Sequence, residues 1–336
     1  MINITNEDII EAAFQYYRHK GFPYMRLPKY QILFIFKQLE EMRSKIKQMP
    51  PNLLTIAPKN KKITIKSVKD QQLANHFHPH IWKSKAVGMR SSIQSYNIDK
   101  SLRKVMLMCL RYDGHIENKH VQKYLRTVNG TQICSNFRPA VAKAIYDYTR
   151  GEDVLDMSMG YGGRLLGFLA SKKTGTYTGV DPSEKTYQGN LKIVKFFKAQ
   201  KRVKLINLPF EDCTNLPKVD IAFTSPPYFV KEIYDENDKR QSRERYPGYK
   251  QWREKFLRVM IEKSIECLRP KGSLILNISD IKYKNKIIPL QKDTIKITKE
   301  CGYKLVETLE LHMARFGKGV QKTKIRFEPI LVFKKN

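Results

Sequence analysis

The sequence predicts an α/β fold with a mostly parallel sheet, preceded by a mainly helical region. After residue 150, short apolar runs alternate with helical segments, which is the pattern of βαβ units. The last two strand candidates have no helix between them, so we expect an antiparallel pair at one edge of the sheet. Before residue 150, three segments carry apolar residues three and four positions apart, as amphipathic helices do. We therefore expect a helical domain of residues 1–125 and an α/β domain of residues 126–336.

Seven short segments after residue 150 are rich in apolar and β-branched residues and predict the strands. In chain order they are DVLDMS, TYTGVD, VKLINL, VDIAFTS, GSLILNIS, YKLVETLEL and EPILVFKK. The predicted helices of the first region are NEDIIEAAFQYYRHKG, with Asn6 as its candidate cap, PKYQILFIFKQLEEMRSKIKQM and DKSLRKVMLMCLRYDG. Between them, the alternation in KKITIKSV predicts a short exposed strand.

The charge balance of the chain predicts a polyanionic partner. The 336 residues include 63 Lys and Arg but 32 Asp and Glu, which gives a formal net charge of +31. Nucleic acid is the first expectation and an anionic membrane surface the second. No apolar run approaches the roughly 20 residues of a spanning helix, and the N-terminus lacks the layout of a signal peptide. We therefore expect a cytoplasmic protein.

Neither the cysteines nor the histidines predict a metal site. The five cysteines are scattered and never form a CxxC pair, which argues against a disulfide framework and against a cysteine-rich zinc site. His76, His78 and His80 alternate in a proline-containing segment, a spacing that fits a metal poorly. Polar packing or a nucleic-acid contact is the expected role of these histidines.

A glycine turn after the first predicted strand is one half of a candidate cofactor site. Asp156 closes that strand, and Gly160, Gly162 and Gly163 let the backbone turn tightly and approach a ligand. A plain strand-to-helix turn is the alternative, because one glycine-rich turn has low specificity. Asp181 follows the second strand, where an acid can accept hydrogen bonds from both hydroxyls of a ribose.

The rest of this pattern favours a nucleoside cofactor. A dinucleotide would prefer the full GxGxxG pattern, from which GYGGRL departs. After the third strand, Glu211 or Asp212 is a candidate for binding an adenine amino group, with a solvated loop acid as the alternative. A nucleoside without pyrophosphate fits best, and S-adenosylmethionine is the common one.

The fourth predicted strand ends in the candidate catalytic residues Ser225, Pro226, Pro227 and Tyr228. Consecutive prolines make a stiff, non-helical exit from the strand. Ser225 and the Pro226 carbonyl could accept both hydrogens of the exocyclic amine of a flipped base, which would localise the nitrogen lone pair for attack on a methyl sulfonium. Tyr228 would stack on the base, an interaction worth on the order of 1 to 3 kcal/mol. Such a reaction requires no strong general base.

The TSPPYF segment resembles the catalytic motif (D/N/S)PP(Y/F) of the DNA amino-methyltransferases, including phage-type DNA methylases. The serine form is most similar to the N4-cytosine members, whereas Asp and Asn forms are commoner among N6-adenine members. The family's DPFxGxGxT motif is matched at Asp156, Gly160 and Gly162 but not at Arg164. The segment SNFRPAVAKAIYDY resembles the family's HPTxKPxxL segment, which closes over the methionine end of the cofactor.

This resemblance covers roughly residues 130 to 335 and implies a fold, a cofactor and a set of site residues. The fold is the Rossmann-like class I methyltransferase fold with a seven-stranded sheet, and the cofactor is S-adenosylmethionine. The implied cofactor-binding residues, together with those argued above, are Asn136, Phe137, Arg138, Pro139, Asp156, Ser158, Met159, Gly160, Gly162, Asp181, Pro182, Glu211, Asp212 and Ser225.

The order of the motifs resembles the gamma arrangement of the family, whose recognition region usually follows the catalytic part. Because this chain ends with its last strand, we expect recognition by residues 1–125 and by inserted loops. Tyr246 and Tyr249 lie in a charged segment expected to be a mobile loop that contacts DNA, with a solvated connection as the alternative. The predicted phosphate contacts of the segment before the last strand are Arg315, Lys318, Lys322 and Lys324.

The favoured function is methylation of N4 of cytosine in DNA, on a base flipped out of the duplex. Methylation of N6 of adenine is the alternative. An RNA methyltransferase and a DNA-binding protein without turnover are further alternatives. A cognate restriction endonuclease is a candidate partner, and the source is expected to be bacterial or phage-encoded. None of these expectations includes a metal.

Overall fold

The computed structural model describes residues 3–48, 59–65, 70–312 and 327–335. The strands are β1 (Ser44–Gln48), β2 (Asn60–Ile65), β3 (Lys85–Ala86), β4 (Val154–Asp156), β5 (Tyr177–Val180), β6 (Val203–Ile206), β7 (Val219–Thr224), β8 (Glu232–Ile233), β9 (Leu268–Asn277), β10 (Ile281–Tyr283), β11 (Lys286–Ile288), β12 (Tyr303–His312) and β13 (Phe327–Lys335). The helices are α1 (Asn6–Lys20), α2 (Lys29–Glu41), α3 (Asp70–Phe77), α4 (Ser92–Tyr96), α5 (Asp99–Asp113), α6 (Asn118–Leu125), α7 (Pro139–Tyr148), α8 (Gly163–Leu169), α9 (Glu184–Phe196), α10 (Ser242–Arg245), α11 (Tyr249–Trp252), α12 (Val259–Cys267) and α13 (Leu290–Glu300).

The central sheet confirms the predicted fold class. Its strands lie in the order β1-β2-β12-β13-β9-β7-β4-β5-β6. β4, β5, β6, β7 and β9 run parallel to their neighbours among themselves, whereas β13 is antiparallel to both β9 and β12. Numbered from β4 along the chain, the seven predicted strands lie in the order 3-2-1-4-5-7-6, which is that of the class I methyltransferase fold. The antiparallel pair at the end of the chain was expected from the missing helix, but its expected position at the edge is wrong, because β1 and β2 lie beyond β12.

The sheet contains nine strands rather than the expected seven, because the first region adds two. β2 pairs in parallel with β12, and β1 pairs antiparallel with β2. Residues 44–48 form β1, so the prediction that the second helix continues to residue 49 is wrong. Residues 61–65 of the KKITIKSV segment do form a strand, but Ile63 is buried within the sheet, and the expectation that the strand is exposed is therefore wrong.

Local sequence explains where several elements begin and end. The cap of α1 is Thr5, not the expected Asn6, because the Thr5 side chain accepts a hydrogen bond from the Asp8 amide at 3.2 Å. Pro139 occupies the first turn of α7, where its missing N–H has no intrahelical partner to lose. The strands β4 and β5 are buried along their whole length, which is why they appear in the sequence as apolar runs rather than as alternating patterns.

The elements before residue 126 contribute to two different hydrophobic cores. α2 and α3 bury Ile32, Leu39 and Leu73 in the same core as α7, α8 and one face of the central sheet. α1, α5 and α6 form a separate cluster around Tyr17 and Leu102. The division of the chain at residue 125 remains a prediction. Among the described residues, none of the helices has both the length and the apolar character needed to cross a bilayer.

The histidines after α3 attach the first region to α9. A Cβ on Gly189 would lie 2.3 Å from the His78 ring, so only glycine in α9 leaves room for that imidazole. Nδ1 of His78 lies 3.0 Å from the Ala74 carbonyl, and Nε2 of His80 lies 3.2 Å from the Thr186 hydroxyl. Burial lowers the pKa of His78 to about 4 and that of His80 to about 3. These contacts support the packing role of the two histidines.

Candidate active site

A cavity of about 380 Å³ opens at the carboxyl ends of the parallel strands β4, β5 and β7. Its volume lies in the range of small-molecule sites. The predicted site residues that line it are Asn136, Phe137, Arg138, Ser158, Met159, Gly160, Asp181, Pro182, Glu211, Ser225, Pro226, Pro227 and Tyr228. The structure therefore brings the cofactor motifs and the Ser-Pro-Pro-Tyr motif into one space, although they are far apart in the sequence.

Several predicted residues do not line this cavity. They are Pro139, Asp156, Gly162, Asp212, Tyr246 and Tyr249. Arg315, Lys318, Lys322 and Lys324 lie outside the residues that the structure describes.

The glycine turn joins β4 to α8 and forms one wall of the cavity. Gly160 and Gly162 have φ values of +53° and +73°, in the left-handed region that favours glycine. A Cβ on Gly163 would lie 1.8 Å from the backbone carbonyl oxygen of Phe137. The segment around Phe137 therefore packs directly against the start of α8, which only glycine allows.

Asp156 supports the turn from inside the protein and does not line the cavity, so its contact with the cofactor stays a prediction. Its carboxylate is fully buried and accepts hydrogen bonds from Nε of Arg164 at 2.7 Å, from the Tyr177 hydroxyl at 2.7 Å and from the Thr224 hydroxyl at 2.8 Å. The Arg164 guanidinium also donates to the Ser158 carbonyl. Arg164, which departs from the family motif, thus forms a buried ion pair with Asp156 that joins the glycine turn to the end of β4.

Asp181 lies at the end of β5 with its carboxylate against the glycine turn. The Gly160 amide donates to one carboxylate oxygen at 3.0 Å, and the Ser183 amide donates to the other at 2.9 Å. Burial raises the pKa of Asp181 to about 6. Each carboxylate oxygen has a second lone pair, so this residue can still accept hydrogen bonds from hydroxyls in the cavity.

The structure separates the two acids after β6. Glu211 lines the cavity and Asp212 does not, although Arg245 binds both carboxylates, at 2.8 Å and 2.9 Å. Burial raises the pKa of Glu211. Phe210 also lines the cavity, and the sequence reasoning missed it. An aromatic residue directly before the two acids was the available signal.

The Ser225 side chain is oriented by Asn277, a residue that the sequence reasoning also missed. The Ser225 hydroxyl donates to Oδ1 of Asn277 at 3.2 Å. Nδ2 of Asn277 donates to the Pro329 carbonyl at 3.1 Å, which fixes the amide with its oxygen toward Ser225. The Tyr228 hydroxyl donates to the Asn277 carbonyl at 3.1 Å. Asn277 is the last residue of β9, where a polar side chain after an apolar strand was the available signal.

The Tyr228 ring lies among charged side chains at this end of the cavity. Nζ of Lys231 lies 5.1 Å from the centre of the ring, and Glu232 and Glu328 also line the cavity. Burial raises the pKa of Glu328. Charged side chains therefore form part of the cavity wall that Ser225 and Tyr228 also line.

The charged segment after Tyr228 is folded, and its tyrosines pack into the protein. β8 pairs with β3, which ties this segment to the first region. The Tyr249 hydroxyl donates to Asp293 at 2.5 Å, and its ring packs 5.4 Å from that of Phe229. Tyr246 packs against the hydrophobic cluster that contains Phe229, and it lies beside the Arg245 guanidinium. Both tyrosines are half-buried in a folded segment, and their contact with DNA stays a prediction.

One group of metal-ligating side chains occurs among the described residues, and its members do not line the cavity. His115, Glu117 and His120 each place a ligand atom within 4.8 Å of the others. Lys119 binds the Glu117 carboxylate at 2.8 Å. A lysine partner satisfies this acid without a metal ion.

The strand order and the position of the cavity are those of the class I methyltransferase fold. Residues 219–336 match the family model described as "DNA methylase". S-adenosylmethionine is the cofactor of that family.

A curated relative and several solved structures are similar to the chain. The type II methyltransferase M.MjaVI of Methanocaldococcus jannaschii is 33% identical over 120 residues, which are 35% of this chain and 57% of that protein. The match thus spans a little over half the length of this relative. A SAM-dependent O-methyltransferase from Thermotoga maritima is 14% identical with a TM-score of 0.38 and covers 59% of this chain and 64% of its own. A methyltransferase from Pyrococcus furiosus is 15% identical with a TM-score of 0.37, and the match covers 63% of this chain and 92% of that protein.

Proposed function

We propose that the protein is a site-specific DNA methyltransferase that moves a methyl group from S-adenosylmethionine to the exocyclic amine of a flipped base. N4 of cytosine is the favoured acceptor and N6 of adenine the alternative. The observation that carries the proposal is the hydrogen bond from Ser225 to Asn277. Because the hydroxyl proton is engaged by Asn277, the oxygen of Ser225 presents lone pairs, as an acceptor for an amine must.

The residues of the cavity fit a nucleoside cofactor. The left-handed Gly160 and the close approach of Gly163 to Phe137 leave backbone rather than side chains at the turn. Asp181 would accept from the ribose hydroxyls, and Glu211 from the adenine amino group, with the Phe210 ring beside it. Asn136 and Arg138 would lie at the methionine end. S-adenosylmethionine supplies an electrophilic methyl group on a sulfonium.

The residues of the strand end would activate the amine. The Ser225 oxygen and the Pro226 carbonyl would accept hydrogen bonds from the two N–H groups of the amine. Because these bonds draw the two hydrogens out of the base plane, the lone pair of the nitrogen becomes localised. The Phe229 amide donates to the Pro227 carbonyl at 3.1 Å, which stabilises the turn after the motif. The prolines restrict this backbone, so the two acceptors keep their spacing. Tyr228, held by Asn277, would stack on the base and help offset its removal from the duplex.

The serine of the motif supports cytosine N4 over adenine N6, since the serine form is most similar to the N4-cytosine members. DNA is the proposed partner, which agrees with the net charge of +31. We assign target recognition to residues 1–125 together with loops around the cavity, and a cognate restriction endonuclease is a proposed partner. A deletion of residues 1–125 is a poor test of this assignment. It removes β1 and β2 from the central sheet, together with the α2 and α3 side chains that pack in the same core as α7 and α8.

The experiment that tests the function is identification of the methylated nucleoside. The purified protein is incubated with mixed-sequence duplex DNA and methyl-labelled cofactor, and the DNA is digested to nucleosides. We expect label in N4-methylcytosine. Label in N6-methyladenine would select the alternative acceptor, whereas label only in 5-methylcytosine, only in an RNA substrate, or in no nucleic acid would contradict the proposal.

A further inference from the structure

Arg126 is a cation of the cavity wall that lacks a carboxylate partner among the described residues. It follows α6 and lines the cavity, although no sequence motif pointed to it. Its guanidinium carbon lies 4.8 Å from the centre of the fully buried Trp82 ring. Burial lowers the pKa of Arg126. The structure thus holds a half-buried positive charge beside open space.

The other arginines of the wall show how unusual this arrangement is. Arg138 pairs with Asp70 at 3.3 Å, Arg164 with Asp156 at 2.7 Å, Arg240 with Asp238 at 3.1 Å and Arg243 with Glu244 at 3.0 Å. Each of these four guanidiniums is neutralised within the protein. A half-buried charge without such a partner has lost part of its hydration, so a ligand that supplies the partner would gain binding free energy there.

We propose that Arg126 binds an oxyanion of a ligand in this cavity. The inference rests on the proposed function, which supplies two ligands with oxyanions, namely the phosphates of DNA and the carboxylate of the cofactor's methionine. Guanidinium binds both groups with two parallel hydrogen bonds. The Trp82 face stabilises the cation by a cation–π interaction and holds the guanidinium plane, so that its N–H groups are oriented before the ligand arrives.

The test compares Arg126→Gln and Arg126→Lys with Arg111→Gln as the matched control. Arg111 is an exposed arginine beside an aromatic ring, Tyr112, and it lies outside the cavity wall. Both glutamine variants remove one positive charge. Cofactor affinity is measured by calorimetry, and affinity for a mixed-sequence duplex is measured at several salt concentrations. Far-UV circular dichroism and thermal unfolding establish that each variant is folded.

If Arg126 contacts a phosphate, Arg126→Gln should weaken DNA binding on the order of tenfold more than Arg111→Gln does. The number of counterions released on DNA binding, read from the salt dependence of the affinity, should fall by about one. A carboxylate contact predicts instead that cofactor affinity falls on the order of tenfold in Arg126→Gln alone. In either case Arg126→Lys retains part of the affinity, because it keeps the charge but not the fork of donors.

Equal DNA and cofactor affinities in folded Arg126→Gln and Arg111→Gln would overturn this inference while leaving the proposed function standing. The converse result is also distinguishable. A wild-type protein that binds both ligands and methylates no nucleic acid would contradict the proposed function, whereas a loss of binding in Arg126→Gln would still support the oxyanion contact. Wild-type protein that binds neither ligand would contradict both.

Discussion

The Ser225 hydroxyl donates a hydrogen bond to the side-chain oxygen of Asn277 at 3.2 Å. This contact joins the end of β7 to the end of the neighbouring strand β9, two segments separated by 52 residues. Its consequence is chemical, because a hydroxyl whose proton is engaged on one side presents only lone pairs on the other. The orientation of one amide therefore decides whether Ser225 accepts or donates hydrogen bonds in the cavity.

Replacing Asn277 should impair turnover without weakening cofactor binding. In Asn277→Leu the Ser225 hydroxyl loses its acceptor and can turn its proton toward the amine, so we expect single-turnover methylation to fall on the order of 10²-fold. Asn277→Asp keeps an acceptor for Ser225 and should retain more activity. Both rates are measured beside calorimetric cofactor affinity. Full activity in folded Asn277→Leu would show that Asn277 does not orient Ser225.

Adding one methyl group at Gly163 should disrupt the cavity wall. The Cβ of Gly163→Ala would lie 1.8 Å from the Phe137 carbonyl oxygen, so backbone must move, at a cost of about 1 to 3 kcal/mol of unfolding free energy. Cofactor affinity should fall with it. Gly248→Ala is the control, since the atom nearest to its Cβ would be 3.7 Å away. Urea unfolding and calorimetry report the two effects, and a Gly163→Ala protein as stable as the control would refute the close approach.

Cofactor affinity should depend on the ionisation of Asp181. Burial raises the pKa of this carboxyl to about 6, and the ionised form is the stronger acceptor for ribose hydroxyls. Affinity should therefore be highest above pH 6 and fall by about tenfold between pH 7.5 and pH 5. Asp181→Asn should bind more weakly and lose this dependence. A wild-type affinity that stays constant over the same range would argue against a ribose contact.

Stability should fall in mildly acidic solution because of His78. Its pKa is about 4 in the folded protein and about 6.5 in an unfolded chain, so between these values the unfolded state binds more protons. The folded protein therefore has its full stability with respect to His78 above pH 6.5, and it loses stability as the pH falls toward 4. From pH 7 to pH 5 the free energy of unfolding should decrease by roughly 2 kcal/mol from this group.

The matched variants for this prediction are His78→Gln and His19→Gln. His19 is exposed at the end of α1, so its replacement should leave the pH dependence of unfolding close to that of the wild type. His78→Gln should show a smaller decrease between pH 7 and pH 5, because glutamine does not titrate. Parallel wild-type and His78→Gln profiles would mean that burial of this imidazole does not govern acid stability.

Much of the α/β fold was predictable because its strands are short, buried and separated by helices. The missing helix before β13 likewise predicted the antiparallel pair of β12 and β13, although not that β2 covers its outer side. The first region was less predictable. The segment of β1 follows α2 without a glycine or proline, and only its pairing with β2 makes it a strand. Pairing between distant segments leaves little trace in the local sequence.

The site was predictable where a residue type is required by backbone geometry or by chemistry. The glycines of the turn, Asp181 and the Ser-Pro-Pro-Tyr motif belong to this group, and all of these except Gly162 and Gly163 reach the cavity wall. Asp156 lies behind the cavity wall, where the buried Arg164 and Tyr177 engage its carboxylate, and neither contact is visible in the local sequence. Asn277 and Arg126 were missed because their surroundings are assembled by distant segments.

The most direct test of the central claim compares Ser225→Ala with the wild type in two measurements on the same preparation. Calorimetry reports the dissociation constant of S-adenosylmethionine, and a single-turnover assay with duplex DNA reports methyl transfer. If Ser225 accepts a hydrogen bond from the amine, the dissociation constant should change less than about threefold while the rate falls on the order of 10²-fold or more. Equal losses in cofactor affinity and in rate, or an unchanged rate, would contradict that role.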